Sequence, residues 1–127
     1  MAIAEIARLL DVISEPSRLR ILLALSIRRM CVCELCAALG LRQTAMSQHL
    51  RVLRDCGLVV HRKNGLWVDY ELPKDLLSGP PGRVLRTILA ETQKDESIQK
   101  DRKAAAKVDR HELCGDAPKR RRQAPRA

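Results

Sequence analysis

The chain contains no phenylalanine, and with one Trp and one Tyr its aromatic content is only 2%. A core must therefore be aliphatic, assembled from Leu, Ile, Val and Ala. Long apolar runs are missing too: stretches such as Ile21–Leu25 are far too short to span a bilayer. The first ten residues, MAIAEIARLL, carry Glu5 and Arg8 inside their apolar stretch, which argues against a signal peptide and makes the cytoplasm the expected compartment. No hydrolase nucleophile motif, paired-carboxylate pattern or phosphate-cradling loop occurs, so catalysis has no candidate residues. The expectation is a protein that is not an enzyme, needs no cofactor and does not engage a membrane.

Basic charge and clustered sulfur are what the sequence does have. Its 127 residues include 24 Lys and Arg against 15 Asp and Glu, for a net charge of +9. That excess favours a polyanionic partner such as nucleic acid or an anionic membrane surface. Three of the five cysteines fall within CVCELC, residues 31–36. In a cytosolic chain such crowding points to metal binding or redox sensing rather than structural disulfides.

Hydrophobic periodicity organises the rest. Ile3, Ile6, Leu9, Leu10 and Ile13 recur at helical spacing. A second helix begins behind Ser14 or Glu15 with Pro16 at its first position, and carries Leu19, Leu22, Leu23 and Ile27 as its apolar stripe. A third runs from about Val32 to Leu39 and stops at Gly40. The fourth extends from Arg42 or Gln43 to Asp55. The period then changes, and LVVHRK-NG-LWVDYEL reads as two strands joined at Asn64-Gly65. Val68, Tyr70 and Leu72 are expected on the core side of the second strand, with Trp67, Asp69 and Glu71 wet. A last helix is expected from Val84. The stretch from 96 to 127, ending in PKRRRQAPRA, is expected to be a basic disordered tail beyond a folded domain at 1–95.

Two helices joined by a Gly-containing turn and followed by a hairpin make an α+β, mostly helical winged helix-turn-helix with a two-stranded hairpin wing. On the fourth helix Met46, Leu50 and Leu53 share the core face. Gln43, Thr44, Ser47, Gln48 and Arg51 fall opposite them, and these residue types read base edges and touch phosphates. An ordinary solvated face would carry Glu and Lys, yet no acid occurs between Gln43 and Arg54. His49 lies at the boundary of the two faces, able to bond a phosphate or to cap the interface. Arg62, Lys63 and Asn64 at the hairpin tip are expected over the DNA backbone or minor groove, and Trp67 reads as a wing anchor or, the favoured reading, as a cover for the core.

Preceded by SEPSRLRILLAL, the segment CVCELCAALGLRQTAMSQHLRVLRDCGLVVHRKNGLWVDYEL resembles the ArsR/SmtB family of metal-responsive repressors, over about residues 5 to 90. The resemblance implies a homodimer joined through its first and last helices, bound to double-stranded palindromic operator DNA and released by an inducer. It also implies that Cys31, Cys33 and Cys36 are an arsenite-type sensor, with As(III) or Sb(III) as inducer.

Physical chemistry supports that assignment of the thiols. A soft trivalent centre takes three thiolates in a pyramid. On one continuous helix Cys31 and Cys33 would diverge, but as N-cap Cys31 folds back toward the first-turn amides, and Glu34 completes the form of a capping box. A helix N-terminus also favours thiolate. The rival readings are a thiol redox switch on a constitutive nucleic-acid-binding module, and buried cysteines without chemistry. Tetrahedral zinc would need a fourth ligand that the local sequence lacks. Cys56, beside Gly57 at a helix end, reads as packing. His111 and Cys114 share a face only if the tail is helical, and a solvated tail is the expectation.

Overall fold

The computed structural model describes residues 1–114. Its elements run α1 (Ile3–Ile13), α2 (Pro16–Leu25), β1 (Met30–Cys31), α3 (Val32–Leu39), α4 (Gln43–Asp55), β2 (Val60–Asn64), β3 (Trp67–Glu71), α5 (Lys74–Ser78), α6 (Pro80–Glu91), α7 (Glu96–Lys107) and α8 (Arg110–Cys114). This is a winged helix-turn-helix: α3 and α4 form the helix pair, and β2–β3 the wing.

Local chemistry explains the boundaries. The Glu15 carboxylate accepts from the Arg18 backbone N–H at 3.1 Å, and Pro16 opens α2. The helix α3 ends where Gly40 adopts φ 69°, a left-handed conformation that costs a side-chain-bearing residue energy. Its N–H bonds back to the Cys36 carbonyl at 2.9 Å. Gly65, at φ 65°, turns the hairpin.

The core is aliphatic, as the missing Phe requires. Ile21, Leu22, Met30, Leu35, Met46, Leu50, Leu53 and Val59 are its largest fully buried side chains. Each contributes about 1.5–3 kcal/mol relative to exposure. Met46, Leu50 and Leu53 come from one face of α4, which fixes the opposite face toward solvent.

In the sheet, the wing hairpin is joined by β1, giving the antiparallel order β1-β3-β2. Cys31 pairs with Asp69, and Asp69 with Arg62, so the first thiol residue and the wing share one row of the sheet. The two-residue β1 is too short to carry an alternation signal in sequence.

The expected inside–outside pattern of β3 fails at two positions. Asp69 is 2% exposed, whereas Val68 is 40% exposed. Charge pairing explains the inversion. Arg110 and Arg29 both lie against the Asp69 carboxylate, and the Asn64 amide donates to it at 2.9 Å. A buried carboxylate so partnered no longer needs water.

A second correction concerns residues 96–114, expected as tail. They form α7 and α8, and Ile98, Asp101 and Ala105 of α7 are buried. Asp95 caps the helix by accepting from the Ile98 N–H at 3.0 Å. Arg20 donates to both Asp101 oxygens, at 2.7 and 2.9 Å, so α7 is fastened to α2. Residues 115–127, including PKRRRQAPRA, lie outside the described residues. The helix expected from Val84 begins earlier, at Pro80, after the short α5. No helix among the described residues is long and apolar enough to cross a membrane.

Candidate thiol site and nucleic-acid interface

The thiol site is built on the first turn of α3. Cys31 is its N-cap, with extended backbone angles of φ −85° and ψ 173°. Its N–H donates to Glu34 Oε1 at 3.0 Å, while its sulfur faces the Glu34 backbone N–H. The capping box expected from the spacing is therefore present, with sulfur in the usual hydroxyl position. Glu34 is itself buried, and its second oxygen accepts from Arg28 Nη2 at 3.2 Å.

The three thiols are not equivalent. A hydrogen bond from Cys33 holds the Cys31 thiol below its ordinary value; burial pushes the other way, while the Glu34 N–H and the Arg110 guanidinium assist. Burial and the nearby Cys31 push the Cys36 thiol up to about 11. Cys31 and Cys33 thus touch through their side chains, whereas Cys36, within electrostatic reach of Cys31, is a protonated thiol half-buried against the core. Among the described residues no three or more His, Cys, Asp or Glu side chains are grouped as a metal ion would need. Joining three sulfurs around one centre requires them to be drawn together from these positions.

The outer face of α4 is open. Gln43, Thr44, Ser47, Gln48 and Arg51 are all exposed. His49 is half-buried and within electrostatic reach of Glu15, the N-cap of α2. On the wing Arg62 and Lys63 are exposed, and Arg62 pairs with Glu71 at 2.6 Å along the sheet. Those two strands and α4 bring the polar and basic residues to the surface, and the thiols lie behind them at the start of α3.

Three residues around the thiols escaped the sequence reading. Arg28 donates to Glu34 and to the Ala105 and Val108 carbonyls at the end of α7. Asp69 is buried beside Cys31 in the sheet, its carboxyl pushed up by burial but held below the usual range by Asn64, Arg110 and Arg29. Arg110 hydrogen-bonds Asp69, reaches the Cys31 sulfur and lies 4.4 Å over the Trp67 ring. Trp67 therefore packs under this guanidinium, with His111 edge-on at 5.0 Å. The one available signal was the spacing of Ile98, Asp101 and Ala105, which marks a helix face that something must cover. Cys56, as expected, packs at its helix end, its Sγ donating to the Leu53 carbonyl at 3.4 Å.

With this geometry in hand, comparison with known proteins is informative. Residues 15–60, spanning α2, α3, α4 and the start of the wing, match the sequence profile of bacterial regulatory proteins of the arsR family. The arsenical resistance operon repressor of Escherichia coli is 44% identical over 66 residues, 51% of this chain and 56% of that protein. The chain thus spans little more than half of that relative. The arsenical resistance operon repressor of Staphylococcus xylosus is 39% identical over 77 residues, covering 61% of this chain and 74% of that protein. Among solved structures, the transcriptional repressor BigR from Xylella fastidiosa superposes with a TM-score of 0.60 at 30% identity, covering 68% of this chain and 85% of that one. These relatives are transcriptional regulators rather than enzymes. The chain belongs to the arsR family of bacterial regulatory proteins.

Proposed function

We propose that this chain is a cytoplasmic, dimeric repressor that binds double-stranded operator DNA and releases it when As(III) or Sb(III) is taken by Cys31, Cys33 and Cys36. DNA contact is assigned to Gln43, Thr44, Ser47, Gln48, His49 and Arg51 of α4 and to Arg62 and Lys63 of the wing. The polar types on α4 suit base edges, and the basic wing tip suits phosphates. Dimerisation through α1 is supported by its outer apolar face, where Ile3 is 81% and Leu10 52% exposed beside Ile6. The names of the Escherichia coli and Staphylococcus xylosus relatives support an arsenical inducer.

The observation that carries the coupling is the sheet row Cys31–Asp69–Arg62. Arsenous acid would exchange three hydroxyls for three thiolates, the thiol protons leaving with them as water. Cys31 and Cys33 already touch, so the cost of closing the cage falls on drawing in Cys36. That motion strains the first turn of α3, which bears on α4 through the turn at Gly40 and on the wing through β1. A ligand that binds the strained state better shifts the protein toward it, and the operator favours the other state.

One observation favours a second reading. Cys31 and Cys33 are in contact while no three-ligand group is assembled among the described residues. A two-thiol redox switch needs only the first of these facts.

Operator release measured against As(III) under reducing conditions separates the two. Cys31→Ser and Cys33→Ser are expected to bind operator and lose release, since a hydroxyl is a poor ligand for a soft ion. Cys36→Ser should fall between, and Cys56→Ser should respond as the unaltered chain does. Release that occurs with oxidant but not with As(III) would replace the arsenite reading with the redox one.

A further inference from the structure

Charges on and around α7 are sorted by direction. Those turned toward the core are spent: Asp101 is buried and held by Arg20, while Arg28 and Arg110 are committed to Glu34 and Asp69. Lys100, Lys103 and Lys107 are all exposed. Among the described residues they form no ion pair, not even Lys100 with Glu96 one turn before it. Spaced three and four apart, they make one stripe, opposite the buried face of Ile98, Asp101 and Ala105. Asp101 is the only acid between Ser97 and Val108, so the stripe is a row of uncompensated positive charge. Placement gives that row a direction. The helix α7 runs antiparallel to α3 and lies against it. Lys100 and Asp101, in its first half, line a crevice with Ala37, Leu39 and Gly40, at the turn that leads into α4. At its other end Arg28 ties the Ala105 and Val108 carbonyls to Glu34. Lys107 lines a second crevice there with Arg29 and His111, and the His111 ring lies 5.0 Å from Trp67 of the wing. The row thus runs between the two elements assigned to DNA.

We propose that α7 is a third DNA-contacting element, with Lys100, Lys103 and Lys107 binding backbone phosphates beside the groove that α4 enters. The proposal rests on the DNA reading given above and extends it to a helix outside residues 15–60, the part matched by the family profile. From Lys100 to Lys107 the helix rises about 10 Å, close to the rise of roughly three base pairs. An ammonium on a flexible stem suits a phosphate as a point charge and carries no base discrimination. The three lysines therefore add affinity and salt dependence without adding specificity.

The test titrates the full chain, reduced and free of inducer, onto a mixed-sequence duplex of about 40 base pairs at about 50 to 200 mM salt. K100A, K103A and K107A, singly and combined, are compared with K63A on the wing and with K74A, which removes one exposed charge from α5. Each α7 lysine removed should flatten the slope of log affinity against log salt by about 0.9 per protomer, as K63A should, while K74A leaves it unchanged. Replacing all three by Arg should keep the full slope, since a phosphate accepts either cation. Preference for a duplex that the unaltered chain selects from a random pool should survive in the triple alanine variant and weaken in Q48A. An unchanged slope in the triple alanine variant, with K63A flattened, overturns the α7 contact and leaves the DNA reading standing. A change in K74A equal to that of each α7 lysine also overturns the contact, because total charge would then account for both. Failure of the unaltered chain to bind either duplex overturns the DNA reading itself, and the α7 proposal with it.

Discussion

In the first turn of α3 nearly every polar group is engaged: Cys31 with Glu34, Glu34 with Arg28, and Asp69 alongside with Arg29, Arg110 and Asn64. Along the outer face of α4 the side chains of Gln43, Thr44, Ser47, Gln48 and Arg51 are exposed, and among the described residues they make no hydrogen bond or ion pair. Both regions are rich in chemistry, yet only one has spent it internally. Partners drawn from outside meet a surface whose donors and acceptors are still held by water. A region that must change state instead needs contacts to lose, because only contacts present in one state can distinguish it from another. The open face of α4 suits recognition, and the satisfied turn of α3 suits response.

The largest effect that would sharpen this contrast is on stability. Glu34→Ala should cost about 2–3 kcal/mol in urea unfolding, since it removes the cap of α3 and leaves Arg28 without its carboxylate. Gln48→Ala should stay within about 0.5 kcal/mol of the unaltered chain, as exposed substitutions do. Equal losses in the two variants would erase the distinction. Operator binding should rank the regions the other way. Gln43→Ala, Ser47→Ala and Gln48→Ala are each expected to lose about 1–3 kcal/mol of specific affinity, with specificity relaxed at one base pair. Operator titrations in which all three bind as tightly as the unaltered chain would move the recognition surface off α4.

A smaller effect should appear in the pH dependence of stability. Cys36 has its folded thiol raised from 9.0 to about 11, so folding favours the neutral form. Its contribution is complete below pH 9.0 and is lost as the pH rises through about 11. Stability profiles of the unaltered chain and Cys36→Ser should converge or cross over that window. Parallel profiles would mean that the thiol is not buried as described.

Much of this arrangement was legible in residues close together in the chain. Leu and Met at spacings of three and four set the faces of α4, Gly40 set the end of α3, and Asn64-Gly65 set the wing turn. Even the N-cap position of Cys31 followed from the mismatch between its spacing and a continuous helix. What escaped depends on partners far away. Asp69 looked wet because alternation says nothing about Arg110, which is 41 residues later. The helix α7 looked like a solvated tail because its buried face contains a single large hydrophobe, Ile98, and a carboxylate. That carboxylate, Asp101, is buried only because Arg20, 81 residues earlier, is waiting for it. A charge reads as solvent-loving until its counter-charge is known, and local sequence does not supply the counter-charge.

Arg20 has one further consequence. Besides Asp101, its Nη2 holds the Leu39 carbonyl at 2.7 Å, at the far end of α3 from Arg28 and Glu34. The eight residues of α3 are therefore carried like a short beam on two supports, one near each end, with α7 laid along it. A beam supported this way resists being shifted sideways, and its buried face of Leu35, Ala38 and Leu39 keys it into the core so that it moves as one piece. Gly40 sits just past the second support, in a backbone conformation rather than a packed socket: a Cβ built there would meet nothing within 4 Å. Force applied at the thiol end would then tilt the helix as a whole about that joint, and the quantity transmitted to α4 would be an angle.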